Sequence, residues 1–294
     1  MNFRELGKML VGLTVTLLQV ALSLAQAPET EVYLFDLEIR DNTITISNPR
    51  NISQNPGYDN QPNFLHDGSG FLYSSVSNEQ SDITHYEIAT GKKRTLTQSE
   101  GSEYSPTITP DQKYFSTIIL EKDGTQLLWK YPLSPGKPQL LVPDLKIGYH
   151  CWFDSNTIIS FVLGDPVTLQ VCDLKTGNNK VVAENIGRSL HKIPQTEIIS
   201  LVQKESETTW MIKTFDPQTG EIKALIQTLP GSEDMAWTPN GAILMGQQNR
   251  LYKWNPQIDQ EWVEIISMPG YGLGDITRLA VSPKADRLAI VVLE

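Results

Sequence analysis

Six copies of one four-strand pattern, spaced by a period in the low forties, predict an all-β chain closed into a six-bladed β-propeller. Three observations carry this reading. The apolar runs are short, β-branched and aromatic, and Gly, Pro, Asn or Asp interrupts them about every ten residues. The turn residues of successive repeats, Asp67, Asp111, Ser155, Gln195, Asn240 and Lys284, lie 44, 44, 40, 45 and 44 positions apart. A half-repeat stands alone at the start of the chain, and the half it lacks stands alone at the end.

Taken in order, residues 1–27 fall outside this pattern. Arg4 and Lys8 precede an apolar stretch, Met9 to Leu24, and small residues follow. This is the plan of a secretory signal peptide, with Ser23 and Ala25 favouring a cut after Ala25. The stretch is short for a full span, so no stable membrane insertion is expected after cleavage. The expected location is periplasmic or secreted, with one propeller domain over residues 28–294.

Val32 to Ile46 reads as a third-and-fourth strand pair with no first pair before it. The clearest full unit follows, Asp59 to Leu96. Its runs are Pro62–Leu65, Phe71–Val76, Ile83–Ile88 and Lys93–Leu96, with turns at His66–Gly70 and Thr90-Gly91. Later units open their first strands near Pro106, His150, Leu190, Met235 and Leu279. The last ends at Glu294 after two strands. The N-terminal pair is therefore expected to complete the last blade beside Leu288–Leu293, which hides strand edges that would otherwise pair with other chains.

Composition narrows the partners. A net charge of −10 repels phosphate backbones and argues against nucleic acid. Cys151 and Cys172 fall on the first and third strands of one unit, about 9–10 Å apart. A disulfide needs closer approach, so two free buried thiols are expected.

The turns carry a family resemblance. Leu65-His66-Asp67-Gly68, Thr109-Pro110-Asp111-Gln112, Thr238-Pro239-Asn240-Gly241 and Ser282-Pro283-Lys284-Ala285 follow an S-P-D-G pattern. Asp173-Leu174-Lys175-Thr176-Gly177 and Asp216-Pro217-Gln218-Thr219-Gly220 follow a D-x-x-T-G hairpin pattern. On these motifs the chain resembles the PD40, TolB-like (WD40-like) six-bladed propellers. It departs from TolB-type translocation proteins in lacking their N-terminal α/β domain. It also lacks the G-x-S-x-G of the serine peptidases that such propellers can precede.

In a propeller the first strand of each blade lines the central channel, and the residues before that strand are expected at one mouth. The candidate ligand-binding set is Asp59, Asn60, Glu103, Tyr104, Tyr149, His150, Arg188, Asp234 and Arg278. Six separate segments then converge on one funnel, the usual arrangement of a binding site. Arg188 and Arg278 would hold carboxylates, the acids would hold donors or cations, and the tyrosines would give apolar contact. His150 and His191 lack metal-motif spacing, so no metal, cofactor or catalytic residue is assigned. The expected function is binding of a peptide segment, protein or small polar ligand at the mouth. The alternatives are a metal-assisted, lactonase-like hydrolase and a purely structural interaction scaffold.

Overall fold

The computed structural model describes residues 28–77 and 80–294. The expected signal segment, residues 1–27, lies outside the described residues. Among the described residues no helix is long and apolar enough to cross a membrane.

Six four-stranded antiparallel sheets form the blades. Blade 1 holds β3 (Asp59–Phe64), β4 (Gly70–Ser77), β5 (Gln80–Glu87) and β6 (Lys93–Thr95). Blade 2 holds β7 (Ser102–Ile108), β8 (Tyr114–Leu120), β9 (Gln126–Pro132) and β10 (Gln139–Val142). Blade 3 holds β11 (Ile147–Trp152), β12 (Thr157–Val162), β13 (Thr168–Asp173) and β14 (Asn179–Glu184). Blade 4 holds β15 (Ile186–Lys192), β16 (Ile199–Lys204), β17 (Trp210–Phe215) and β18 (Ile222–Gln227). Blade 5 holds β19 (Met235–Trp237), β20 (Ile243–Gln247), β21 (Arg250–Trp254) and β22 (Val263–Ser267). The innermost strands touch in sequence around the ring, and β23 (Ile276–Val281) of blade 6 meets β3.

Blade 6 closes as the orphan half-repeats predict. Its order is β2 (Thr43–Asn51), β1 (Thr30–Arg40), β24 (Arg287–Leu293), β23. β1 pairs with β24 from Thr30–Leu293 to Asp36–Arg287. Side chains alternate along β1, so its two faces serve two cores. Phe35 and Leu37 pack towards blade 5 with Ala236 and Leu244. Val32 and Leu34 pack towards blade 1 with Phe71 and Tyr73. Val32, Leu34 and Phe35 are fully buried, each stabilising the closure by about 1.5–3 kcal/mol.

The turn motifs have direct physical roles. Asp173 accepts the Lys175 and Thr176 amides, and Gly177 turns the chain at φ 73°. Asp216 does the same for Gln218 and Thr219, with Gly220 at φ 79°. In the first turn of blades 1, 2, 5 and 6 a left-handed residue follows the aspartate-like position. Gly68 and Gly241 fill it without strain, while Gln112 and Ala285 hold it at φ 59° and 55°.

Tryptophans from two innermost strands wedge between blades. Trp152 Nε1 donates to Ser116 Oγ of blade 2 at 2.9 Å, and Trp237 Nε1 to Ser200 Oγ of blade 4 at 2.8 Å. Cys151 and Cys172 are free and buried, and burial pushes the Cys151 thiol up to about 12.

The candidate mouth residues of blades 1, 2, 3, 4 and 6 lie inside the innermost strands, not ahead of them. These strands start earlier than the apolar runs suggest because polar residues at their entry also pair. β-Bulges interrupt β3 between Asn60 and Asn63 and β7 between Tyr104 and Thr107. Gln61 and Ser105 sit in them at φ 61° and 56°.

Candidate functional site

The innermost strands enclose a channel of about 490 Å³. One end is ringed by the entry segments of the six innermost strands. Each blade delivers one large polar side chain there: Tyr58, Tyr104, Tyr149, Arg188, Asp234 and Arg278. Tyr58 comes from the segment just before β3, and Asp234 from the residue before β19.

The ionic half belongs to blades 3 to 6. Asp234 accepts from Arg188 Nε at 3.0 Å and from Arg278 Nη1 at 3.1 Å, and it also meets Arg188 Nη2. Arg278 Nη2 reaches the Tyr149 hydroxyl at 3.2 Å. Its guanidinium also lies 5.1 Å from the Tyr149 ring centroid. Glu233 pairs with Arg188 at 3.5 Å and with Lys204 at 3.0 Å. Burial works against the charge on both arginines. The carboxylate of Asp234 outweighs it, so both hold their protons more tightly than usual.

The phenolic half belongs to blades 1 and 2. Tyr58 meets Tyr104 edge to face, with centroids 6.2 Å apart. Burial pushes the Tyr58 hydroxyl up to about 12; Arg278 and Arg188 pull against that, while Tyr149 and Tyr104 add to it. Tyr58 therefore lies within electrostatic reach of residues from blades 6, 4, 3 and 2. Arg188, Asp234 and Arg278 line both the channel and a second pocket of about 430 Å³ outside it. The ion-pair network is thus a partition between the two.

The remaining candidates do not join this cluster. Asp59 and Glu103 are fully buried and face blade seams. Asp59 Oδ2 accepts from Asn55 at 3.2 Å, and Oδ1 has no partner among the described residues. Burial raises its carboxyl to about 6, Ser75 and Asn55 offset part of this, and Glu31 adds to it. Among the described residues neither carboxylate oxygen of Glu103 has a partner in hydrogen-bonding geometry, although Ser99, Thr97 and Asp82 surround them. Burial and the Asp82 charge push Glu103 up to about 7, against the pull of the Ser99 hydroxyl. Asn60 Nδ2 donates to the Thr30 hydroxyl at 3.3 Å, also in the seam. His150 turns away from the mouth too: Nε2 shares a 2.6 Å hydrogen bond with Ser116 Oγ. Burial drops its pKa to about 3, so it is neutral. The bulges in β3 and β7, and a third in β11 between Ile147 and Tyr149, re-aim the strand entries, which is why a reading by position alone places these four at the mouth.

His191 faces the channel, with Nε2 at 3.0 Å from Ser189 Oγ, and burial lowers its pKa to about 4 despite Asp234. Among the described residues no three His, Cys, Asp or Glu side chains form a metal-holding group. Sequence reasoning missed Tyr58, Lys204 and Trp210. Tyr58 could have been found one residue ahead of Asp59. Lys204 and Trp210 flank the blade 4 hairpin, and no feature of the repeat marks them.

Solved structures resemble the whole propeller. A candidate TolB from Agrobacterium tumefaciens superimposes with a TM-score of 0.70 at 14% identity, over 91% of this chain and 99% of that one. TolB from Acinetobacter baumannii gives 0.56 at 15% identity, over 90% of this chain and 63% of that one. An oligogalacturonate lyase from Vibrio parahaemolyticus gives 0.53 at 12% identity, over 90% and 98%. No family model and no curated protein matches the chain. At such identities the likeness establishes the fold alone: this chain is a six-bladed β-propeller built like those of the TolB-like proteins.

Proposed function

We propose that the chain is a non-catalytic binding module, of the PD40 kind and periplasmic or secreted, that takes a peptide segment or small polar ligand at the Tyr/Arg mouth. The observation that carries this is the convergence of one large polar side chain from every blade. Tyr58, Tyr104, Tyr149 and Arg188 are each half-buried and half-open to solvent. Tyrosines of this kind offer large, rigid, amphipathic area at low entropic cost, as peptide-binding surfaces require. The arginines keep donors beyond those spent on Asp234, and such forks suit carboxylate or backbone carbonyl acceptors. The signal-like N-terminus supports export, and the neighbours named TolB support the binding reading.

The scaffold reading draws on one specific observation: Asp234 joins both arginines and so staples blades 4, 5 and 6. Calorimetric titration of a peptide selected on the chain, with parent and Arg188→Ala proteins, separates the two. Binding predicts a loss of affinity of about tenfold or more, because a central arginine that anchors a ligand carries about 1.4 kcal/mol or more. A lowered melting temperature with unchanged affinity would establish the scaffold instead.

A further inference from the structure

A groove of about 690 Å³ opens on the mouth face between blades 3 and 4, and Arg188 forms its inner end. Its floor is apolar. Tyr149 packs edge to face on Phe161 at 5.6 Å, and Leu163 projects from the wall with 38% of its surface exposed. Trp210 forms the opposite wall, with Lys204 Nζ 4.3 Å from its ring centroid. An exposed leucine beside two aromatic walls gains from being covered, and nothing in the described chain covers it.

The charges at the groove are layered. Arg188 and Lys204 have 34% and 35% of their side-chain surface exposed. Their carboxylate partners Glu233 and Asp234 have 15% and 13%. Glu233 also lines the groove, but the cations are more than twice as exposed as these acids, so the inner end presents positive charge in a protein of net charge −10. Glu207 stands on the groove lining as well and is exposed. An acidic group entering the groove is thus repelled by Glu207 and drawn to the Arg188–Lys204 end.

We propose that this groove seats a bulky apolar side chain of a bound peptide segment, with an adjacent carboxylate held between Arg188 and Lys204. The inference rests on the mouth binding a peptide and adds an off-axis anchor that sets which peptide. The apolar side chain supplies affinity by covering Leu163, Phe161 and Trp210. The carboxylate supplies direction, because only one orientation brings it to the cations.

The test is selection from a random twelve-residue display library on the purified chain. Enriched peptides are then titrated against the parent, Leu163→Glu and Tyr58→Ala proteins. Leu163 is already part-exposed, so the charge tests the groove without unfolding the blade. The expected result is enrichment of an aromatic or large aliphatic residue next to Asp or Glu, with affinity on Leu163→Glu falling about tenfold or more. Peptides lacking that pair, or binding Leu163→Glu as well as the parent, overturn the inference. If those same peptides fail on Tyr58→Ala, the mouth reading survives without the groove. A selection that enriches nothing removes both.

Discussion

Replacing Glu103 by glutamine should stabilise this protein at alkaline pH. The carboxyl is fully buried between blades 1 and 2, and neither oxygen has a hydrogen-bond partner among the described residues. The groups facing it are Asp82 and the Ser99 and Thr97 hydroxyls, with Tyr131 of β9 close enough to feel its charge. None of these is a cation. Burial and Asp82 raise the group from 4.5 to about 7. Asp82 is raised as well, by burial, so the pair favours holding a proton. A raised carboxyl contributes stability that is fully present below its unfolded value and is lost as pH rises through its folded value. The window is therefore pH 4.5 to about 7, and the shift corresponds to roughly 3 kcal/mol at 1.36 kcal/mol per unit. Glutamine mimics the protonated acid at every pH. His150 and His191, held neutral by burial, oppose the trend on the acid side, where the unfolded chain gains their protons first. They contribute equally to parent and variant, so the difference between the two isolates Glu103. The assay is the melting temperature of parent and Glu103→Gln from pH 5 to 8.5. The variant should gain on the parent as pH rises, reaching roughly 6 °C for about 3 kcal/mol in a chain of this size. Parallel profiles over the whole range would refute the argument.

Further outcomes follow from the same structure. Phe35→Ala removes a fully buried ring from the closing strand and should lower stability by about 3–5 kcal/mol in a urea titration. Trp237→Phe leaves Ser200 without its indole donor and should cost about 1 kcal/mol, read by the same titration. Ala285→Gly relieves a left-handed alanine at φ 55° and should raise the melting temperature, by about 1 kcal/mol of stability. Cys151 and Cys172 should resist an aromatic disulfide reagent at pH 8 until denaturant is added, because burial holds both thiols above their ordinary range.

Much of the fold is legible because a repeat repeats its errors. The exposed turns keep Asp, Pro and Gly where the backbone needs them, as at Asp67-Gly68 and Asn240-Gly241. The strand pair left over at Val32 to Ile46 has only one vacancy to fill, beside β24. The site is legible only in part. Tyr149, Arg188, Asp234 and Arg278 do meet, because their strand entries lie nearest the axis. Asp59 and Glu103 read as mouth acids, yet both face seams. Bulges at Gln61 and Ser105 break the two-residue alternation that a sequence reading assumes. Tyr58 sits in a lone bridge with Thr30 just ahead of β3, outside the apolar runs that mark which way a side chain points.

The most direct test of the account watches the tyrosine rings by NMR while a selected peptide is added. The chain has ten tyrosines, and three of them, Tyr58, Tyr104 and Tyr149, stand at the mouth. The account predicts that the signals of these three move with the titration while those of Tyr33, Tyr131 and Tyr252 on other strands stay in place. Movement confined to Tyr33, Tyr131 and Tyr252, with the mouth three unchanged, would contradict it.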